Sequence, residues 1–347
     1  MSENNNLFEI AIVGSGAAGS MGALRAVLNN LDTVCFKGSP KTMKSARATW
    51  VGKVENMPVL FDKPKAIFSS AREVFGWIRK QELWKEKLFE VADAVESIEG
   101  ERGNFVLKTS KGDLYKAKHV VICTGIMDVQ PKIQGDFTNI FPFANEGHVE
   151  YCIRCDGHKT KGNPTAVIGH QEVAGWIASL LIERYDCPKM TVLTNGKPFE
   201  MAKNSALKER LACYNIEVIE EPILRLLGEP KGEGLTGIEL EGGAVVECRI
   251  AFVSLGTIVH NGLAKSIGCQ VDGRGYVVTN KQGETTVPGI FAGGDLRANT
   301  KKQIYTSWDV TVDAIDAIDG YVREERRNQR IKNCKADVKE LSGALMG

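Results

Sequence analysis

Short apolar runs alternate with amphipathic stretches along the chain, and this alternation predicts an α/β protein with layers of strands and helices. A strand, a glycine-rich turn, a helix and another strand open the sequence. The elements predicted in this half are a strand at Phe8–Val13, a helix to about Asn30, a strand at Thr33–Phe36, mainly helical structure from Phe61 to Lys87, a hairpin of Asn104–Thr109 with Asp113–Lys118, and a strand at His119–Cys123.

A second β-α-β unit is predicted in the other half. It comprises a strand at Thr165–Gly169, a helix from about Gln171 to Tyr185 and a strand at Met190–Thr194. The helical spacing of apolar residues in this unit predicts that Trp176 lies in the core. The elements predicted beyond it are a hairpin of Ile216–Leu227 with Gly237–Arg249, a strand at Ile250–Leu255 and a helix to about Arg326.

Composition and charge exclude several classes of protein. The 347 residues suffice for two domains, and 43% are hydrophobic and 25% charged, as in ordinary globular proteins. A net charge of +1 provides no field that would attract nucleic acid or an anionic membrane, so neither partner is expected. The start lacks a signal-peptide pattern, and no run approaches the ~18 apolar residues of a membrane span. Nine scattered cysteines do not form a secreted disulfide scaffold, so a cytoplasmic location is expected.

The first glycine turn, in IAIVGSGAAG, has the G-x-G-x-x-G pattern between a strand and a helix. Gly14 permits a tight turn, and Gly16 lets the backbone approach a pyrophosphate. Gly19 lets the helix pack closely on the strand, with the helix N-terminus directed at the phosphates. This context predicts a bound dinucleotide.

Two later segments identify the dinucleotide by resemblance. Val120–Gly125 (VVICTG) and Gly289–Asp295 (GIFAGGD) resemble the other FAD-contact segments of flavoproteins with two dinucleotide-binding domains. The resemblance implies FAD rather than NAD as the ligand, with Asp295 bonded to the ribityl chain. No acidic residue closes the second strand, so Lys37 or Lys41 is the candidate for the adenosine end.

The stretch YCIRCDGH places Cys152 and Cys155 two residues apart and Asp156 directly after them. Such a pair can bind a metal, form a working disulfide or do neither. No second CxxC or Cys/His pair completes a zinc site, so no metal is predicted. A CxxC loop forms a readily reduced disulfide, and an adjacent carboxyl can exchange the protons. The redox interpretation is therefore favoured; His158 either steadies a thiolate or lies exposed in the loop.

With these motifs in order, the chain resembles the low-molecular-weight thioredoxin reductases. The shared segments are the first glycine turn, VENMP at Val54–Pro58, Thr124–Gly125, CIRCDG at Cys152–Gly157 and GIFAGGD. The resemblance implies a two-dinucleotide-binding-domain flavoprotein fold with two Rossmann-like domains, and a homodimer. It implies an FAD-binding domain at 1–128 and 255–347, and an inserted domain at 129–254 that carries the CxxC pair.

The resemblance also assigns roles to the site residues. Cys155 would face the flavin, and Cys152 would attack the disulfide of a thioredoxin-like protein or of a small disulfide or dithiol. Trp308 replaces a small residue near the flavin and is expected to pack on the isoalloxazine ring or at the dimer interface, unless it is simply buried in its helix. The expected FAD-binding residues are Gly14, Gly16, Ala17, Gly19, Lys37, Asn56, Thr124, Gly125, Gly294, Asp295, Lys302, Gln303, Ile304 and Trp308.

The second glycine turn, in VIGHQEVA, departs from the pattern of an NADPH site. Gly169 and Ala174 fit, but Gln171 replaces the middle glycine, where a pyrophosphate must touch the backbone. Glu172 adds a negative charge at the helix start, where phosphates would bind. These changes predict that NADPH does not bind there in the usual way.

The strand after this helix also lacks the usual determinants. No arginine lies between Arg184 and Arg210 to bind a 2′-phosphate, and the strand closes without an acidic residue. The region available for a second cofactor comprises Gly169, His170, Gln171, Asn195 and Lys197.

Relatives that do not use pyridine nucleotides suggest four alternatives. A diflavin-linked disulfide oxidoreductase with a second FAD needs no arginines, because FAD has no 2′-phosphate, and is favoured. A ferredoxin- or flavodoxin-dependent thioredoxin reductase is next. Dithiol oxidases that use oxygen typically carry histidine where this chain has Asp156, which argues against that form. A non-catalytic redox-sensing flavoprotein would not need this aspartate.

Overall fold

The computed structural model describes residues 3–61, 63–200 and 205–344, and its α/β architecture confirms the predicted fold class. The strands are β1 (Glu3–Val13), β2 (Thr33–Phe36), β3 (Leu88–Val91), β4 (Val95–Glu101), β5 (Asn104–Thr109), β6 (Leu114–Ile122), β7 (Ile126–Asp128), β8 (Val149–Glu150), β9 (Thr165–Ile168), β10 (Met190–Leu193), β11 (Glu217–Ile219), β12 (Ile223–Glu229), β13 (Gly234–Leu240), β14 (Val245–Glu247), β15 (Ile250–Val253), β16 (Thr257–Val259) and β17 (Ile290–Ala292).

The helices are α1 (Ala17–Leu28), α2 (Pro40–Lys44), α3 (Arg47–Trp50), α4 (Ala66–Lys80), α5 (Phe141–Asn145), α6 (Ile153–Asp156), α7 (Glu172–Tyr185), α8 (Ser205–Cys213), α9 (Gly262–Ser266) and α10 (Ile304–Ala344). Four of the helices, α1, α4, α7 and α10, match those that the sequence predicts, and the shorter helices were not predicted. Helix α10 continues well beyond the predicted end near Arg326, since no proline interrupts the residues that follow. Among the described residues, no helix is both long and apolar enough to span a membrane.

The chain forms two compact units. The first unit comprises Met1–Ser45, Ser70–Gly125 and Val259–Gly347, and the second comprises Ala46–Ser69 and Ile126–Ile258. The assignment of 1–128 and 255–347 to an FAD-binding domain and of 129–254 to an inserted domain stays a prediction, and it puts the segment 46–69 in the FAD-binding domain. In the structure it packs with the second unit, because Arg47 binds Asp128 through two hydrogen bonds of 2.7 and 2.6 Å. Trp50 also stacks on Phe141, with 3.9 Å between ring centroids.

The first unit is built on a seven-stranded sheet of order β3-β2-β1-β6-β5-β4, in which β17 also pairs with β6. Strand β1 is parallel to β2 and β6, and β6 is parallel to β17. Val13 pairs with Phe36 and with Ile122, and Ala292 pairs with Ile122, so these strands end level with one another. The turns that follow them therefore meet at one edge of the sheet, where α/β sheets bind ligands.

Asp93 organises the turn between β3 and β4. Burial acts to raise the pKa of its carboxyl, but hydrogen bonds from Ser110 and from the backbone N–H groups of Ala94 and Lys111 outweigh burial and lower this pKa to about 2. The Asp93 carbonyl accepts a 3.1 Å hydrogen bond from the N–H of Gly38, which anchors the chain directly after β2.

The second unit contains a five-stranded parallel sheet of order β11-β10-β9-β15-β8. Helix α7 covers it with small residues, since Ala174 and Ala178 are fully buried. Trp176, which the sequence predicts in the core, lies at its edge: the side chain is half-buried and packs against the hydrophobic cluster of this unit, and the Arg210 guanidinium lies 5.0 Å from its ring centroid. A helix that packs closely on a sheet presents its smallest residues to it, so the larger ones lie at the side.

The predicted hairpin of Ile216–Leu227 with Gly237–Arg249 is wrong in its first arm. Strand β11 joins the parallel sheet beside β10, and β12 starts a separate three-stranded antiparallel sheet with β13 and β14. Pro222 separates the two strands, because its missing N–H cannot continue a ladder.

Candidate functional site

The first glycine turn requires glycine at two positions for different reasons. Gly14 has φ +110°, and a Cβ on it would lie 2.4 Å from the carbonyl oxygen of Cys123. A Cβ on Gly19 would lie 1.8 Å from the carbonyl oxygen of Gly14. The turn and α1 therefore pack more closely than any other residue would allow.

Gly16 differs, because nothing lies within 4 Å of the position of its missing Cβ. It is the N-cap of α1, Ala17 is the first helical residue, and no described side chain caps the helix. The first-turn N–H groups of a helix need a partner and favour an anion. The open space at Gly16 and the uncapped helix start fit the pyrophosphate of the FAD that the sequence predicts.

The second expected FAD segment follows β6. Thr124 donates a hydrogen bond of 2.6 Å from Oγ1 to the carbonyl of His260, and Gly125 has φ +68°. A Cβ on Gly125 would meet no atom within 4 Å, so this backbone is also open.

The third expected segment lies beside the start of α1. Gly294 has φ +66°, and a Cβ on it would lie 2.6 Å from the Cβ of Ala18. Asp295 accepts a 2.9 Å hydrogen bond at Oδ1 from Ser307 Oγ. The structure thus brings the three glycine-containing segments to one edge of the sheet, with a carboxylate held among them.

The residues expected around the start of α10 have varied surroundings. Lys302 donates from Nζ to the Arg297 carbonyl at 2.5 Å, and Nζ lies 4.0 Å from the Tyr276 ring centroid. Gln303 is buried, Ile304 begins α10, and Trp308 is half-buried one turn later. Packing of Trp308 on a flavin or at a dimer interface remains a prediction. Asn56 belongs to the second unit, and its contact with FAD stays a prediction.

Lys37 is held within the first unit. Its Nζ lies 2.8 Å from Oε2 of Glu90, which also binds Arg79 at 2.6 Å. Burial acts to raise the pKa of Glu90, but the hydrogen bonds from Arg79 and Lys37 outweigh it and leave this pKa lowered. Glu90 lies on β3, which is paired with β2, so Lys37 has a carboxylate partner within the first unit, and its contact with the adenosine end of FAD stays a prediction.

In the second unit a disulfide joins Cys152 and Cys155. Cys152 is the N-cap of α6, and its Sγ accepts a 3.2 Å hydrogen bond from the N–H of Cys155. Both residues are half-buried. The pair follows β8 at the carboxyl edge of the parallel sheet, which is the edge where such sheets bind ligands and substrates.

Asp156 follows the disulfide and is 8% exposed. Burial raises the pKa of its carboxyl above the ordinary value, against the opposing effect of Lys159, whose Nζ lies 3.5 Å from Oδ1. His158 is exposed, and its Nε2 lies 3.2 Å from Glu55 Oε2. The structure therefore pairs His158 with a carboxylate.

A later part of the same chain runs beside the second glycine turn, while Gln171 itself is exposed. Gln171 is the N-cap of α7 and forms a parallel β-bridge with Glu200. The N–H of Glu200 donates to the His170 carbonyl at 2.7 Å. Gly169 is required here, because a Cβ would lie 2.5 Å from the Ser254 carbonyl oxygen.

The other residues expected in this region either form hydrogen bonds within the protein or have exposed side chains. Asn195 donates from Nδ2 to the Lys132 carbonyl at 2.9 Å and accepts at Oδ1 from the N–H of Ile223 at 2.9 Å. The Lys197 side chain is exposed, and its carbonyl accepts from Thr194 Oγ1. Across the part of the chain that the structure describes, no three His, Cys, Asp or Glu side chains are grouped to hold a metal ion.

Comparison with known proteins identifies the family. The chain matches pyridine nucleotide-disulphide oxidoreductases over residues 8–315. It is 28% identical to the thioredoxin reductase of Mycoplasmopsis pulmonis over 310 residues, covering 87% of this chain and 94% of that protein. The thioredoxin reductase of Helicobacter pylori is 26% identical over 324 residues, covering 86% and 93%. The crystal structure of thioredoxin reductase from Streptococcus pyogenes has the same fold, with a TM-score of 0.77, 22% identity and coverage of 92% and 100%. Since the family match spans most of the sequence, this chain belongs to the pyridine nucleotide-disulphide oxidoreductases.

Proposed function

We propose that this protein is an FAD-dependent thiol–disulfide oxidoreductase of the thioredoxin reductase type, and that its flavin receives electrons from a donor other than NADPH. The observation that carries the first part is the Cys152–Cys155 disulfide with the buried carboxyl of Asp156 beside it. The names of the two curated relatives support a thioredoxin-like protein as the partner. A homodimer and a cytoplasmic location are part of the proposal.

FAD is the cofactor that the first unit fits. Gly14 and Gly19 keep the turn and helix close, and the open backbone at Gly16 would receive the pyrophosphate. Asp295, held by Ser307, would bind the ribityl hydroxyl groups. The flavin, when bound, supplies a carrier of two electrons.

Thiol–disulfide exchange at the second unit needs a nucleophilic sulfur and a group that moves protons. In the proposed reaction Cys152 attacks the partner's disulfide and Cys155 then closes the disulfide of this chain. Asp156 takes the proton from a thiol and returns it to a leaving thiolate. A carboxyl with a raised pKa suits this task, because it can hold a proton closer to neutral pH.

The second glycine turn is unsuited to the pyrophosphate of NADPH. Gln171 occupies the position of the middle glycine, and the backbone at Glu200 runs beside it, joined to His170 by a hydrogen bond of 2.7 Å. Oε2 of Glu172 is buried at the helix start and has no hydrogen-bond partner among the described residues. A pyrophosphate needs open backbone N–H groups at a helix start. At this turn it would instead meet the backbone at Glu200 and the acidic oxygen of Glu172.

A second FAD remains the donor that the sequence favours, since it needs no arginines for a 2′-phosphate. Its pyrophosphate would have to bind away from Gln171, because the backbone at Glu200 lies beside this turn and would stand in the way of the pyrophosphate of any dinucleotide. A protein donor of the ferredoxin or flavodoxin type requires no dinucleotide site in this unit. The changes at Gln171 and Glu172 and the backbone at Glu200 beside the turn support this alternative as well.

The test uses purified protein. Flavin is counted per chain, and the protein is then titrated without oxygen with NADPH, with dithionite and with a dithiol while flavin absorbance is recorded. We expect dithionite and the dithiol to reduce the flavin and NADPH to leave it oxidised on the same timescale. Rapid bleaching by NADPH would refute the donor proposal.

The remaining outcomes separate the alternatives. Two flavins per chain would select the diflavin form, and one flavin that accepts electrons from reduced ferredoxin would select the other. Failure of any dithiol to exchange electrons with the flavin would refute the enzyme proposal and leave a redox-sensing flavoprotein.

A further inference from the structure

A lysine-centred cluster of acidic residues lies beside the disulfide in the second unit. We call Glu55, Glu150, Asp156 and Lys159 the Lys159 cluster. The Lys159 Nζ lies 2.6 Å from Glu150 Oε1, 3.5 Å from Asp156 Oδ1 and 3.8 Å from Glu55 Oε2. One ammonium thus faces three carboxyl groups.

The central part of this cluster is removed from solvent. The side chains of Lys159, Glu150 and Asp156 are 17%, 14% and 12% exposed. Gly147, with φ +83°, packs against the pair: a Cβ there would lie 3.1 Å from Lys159 Nζ and 3.2 Å from Glu150 Oε1. Strand β8 supplies Glu150 and the turn after α6 supplies Lys159, so the fold itself brings these charges together.

Three carboxylates and one ammonium cannot all be charged in such a place without a large cost. Burial, with repulsion from Asp156, raises the pKa of Glu150 to about 7 despite the favourable contact with Lys159. Burial lowers the pKa of Lys159, but attraction by Glu150 and Asp156 outweighs burial, so the ammonium is retained. Glu150 therefore takes up a proton near neutral pH, and it interacts with Asp156, whose carboxyl contacts the same Lys159 ammonium directly after the disulfide in sequence.

We propose that Lys159 is a positioning residue whose ammonium holds the Asp156 and Glu150 carboxyl groups as an interacting pair beside the Cys152–Cys155 disulfide. The inference rests on the proposed function and extends it to residues that the motif does not include. Glu150 acts through Asp156 and sets the pH at which that carboxyl accepts a proton. Lys159 limits the repulsion between the two.

Other groups face the cluster from neighbouring elements. Glu55, from the segment before α4, is bound to the exposed His158 at 3.2 Å. Tyr185 of α7 packs against Gly157, where a Cβ would lie 3.4 Å from its hydroxyl oxygen. Burial, with the negative field of Asp128 and Glu150, raises the pKa of Tyr151, so this phenol stays protonated. Glu55 and His158 are the other titratable groups that face the cluster.

In the test, a disulfide probe oxidises the reduced Cys152–Cys155 pair. The reduced pair loses two S–H bonds and forms the Cys152–Cys155 bond. The neutral probe dithiodipyridine loses its S–S bond, accepts two electrons and two protons, and is released as two thiopyridone molecules. A carboxylate that accepts the first thiol proton speeds this step, so the rate rises as the cluster loses its proton.

The experiment measures the rate of thiopyridone release by reduced holoenzyme against pH. K159M removes the ammonium and should move the midpoint of the rise upward by about one pH unit, since loss of an opposite charge raises carboxyl pKa values. E150Q removes a like charge and should move the midpoint downward. K159R should restore the wild-type midpoint. K161M, at the exposed Lys161 nearby, is the matched control and should not shift it.

The outcomes separate this inference from the proposed function. A double variant, C152S with C155S, gives the background from the exposed Cys213 and Cys334. If wild type releases no more thiopyridone than this background, the proposed function fails. If wild type reacts but K159M and E150Q slow the rate equally at every pH without opposite shifts, Lys159 is only structural and the inference fails. Opposite shifts of the pH midpoint in K159M and E150Q, with the wild-type midpoint restored in K159R, support the inference. If K159M does not fold, the downward shift in E150Q provides the test.

Discussion

Alanine at Gly19 and at Gly16 tests whether the first glycine turn binds the FAD pyrophosphate. A Cβ on Gly19 would lie 1.8 Å from the Gly14 carbonyl oxygen, so helix and turn must separate by about 1.6 Å to reach the 3.4 Å of ordinary contact. Overpacking of this kind costs about 1–3 kcal/mol. Since a unit of this size loses about 2–4 °C of Tm per kcal/mol, G19A should melt about 2–12 °C lower.

Gly16 is the matched control because its missing Cβ faces open space. G16A should therefore change the Tm of the apoprotein less than G19A does. It should still weaken FAD binding, because its methyl group stands where the pyrophosphate approaches the backbone. Loss of one hydrogen bond to a charged oxygen costs about 1.5–3 kcal/mol, which is about 10- to 100-fold in Kd.

The assay is thermal unfolding of both apoproteins, followed by FAD titration of each. The account requires G19A to lose stability and G16A to lose mainly FAD affinity. If G16A binds FAD as tightly as wild type, the pyrophosphate does not lie at this turn. If G19A melts with wild type, the close approach of α1 to Gly14 is wrong.

Four further predictions follow from the described contacts. D156N should slow dithiol exchange about 100-fold, since the amide cannot carry the proton, measured by thiopyridone release; an unchanged rate would exclude this carboxyl. Q171G should still not allow NADPH to reduce the flavin, because the backbone at Glu200 and the Glu172 carboxylate remain beside the turn. Fast bleaching of the flavin would show that the glutamine alone blocks the site. W308A should change flavin absorbance or reduction rate, and no change in either would leave this residue a helix-packing role. The pKa of Asp93 is lower in the folded protein, about 2, than in the unfolded chain, about 4, so its carboxylate stabilises the fold above pH about 4. This stabilisation is lost as the pH falls to about 2. The free energy of unfolding in urea should therefore fall over this range in wild type and not in D93N.

The fold class and most element positions followed from the sequence pattern. Strands such as Thr33–Phe36 and Asn104–Thr109 have the predicted limits, because turn residues mark both ends. The three FAD segments could be found because each combines a strand with glycines that the backbone needs. Trp176 could not be assigned in this way, since periodicity identifies an apolar face but not the small-residue face that packs on a sheet.

The surroundings of the disulfide were not predictable to the same degree. Cys152, Cys155 and Asp156 are contiguous and form a motif, whereas Glu150 and Lys159 meet only because β8 and the turn after α6 fold together. The β-bridge between Gln171 and Glu200 is likewise a tertiary contact between residues far apart in sequence. Motifs therefore identify the reacting atoms, while charge and access depend on the fold.

In the proposed function the Cys152–Cys155 pair exchanges electrons with FAD bound to the same chain. The direct test adds a small dithiol to oxidised holoenzyme without oxygen and follows flavin absorbance in wild type and in C155S. The account predicts that the dithiol bleaches the flavin of wild type and that C155S blocks this. Equal bleaching in both proteins, or none in wild type, would contradict it.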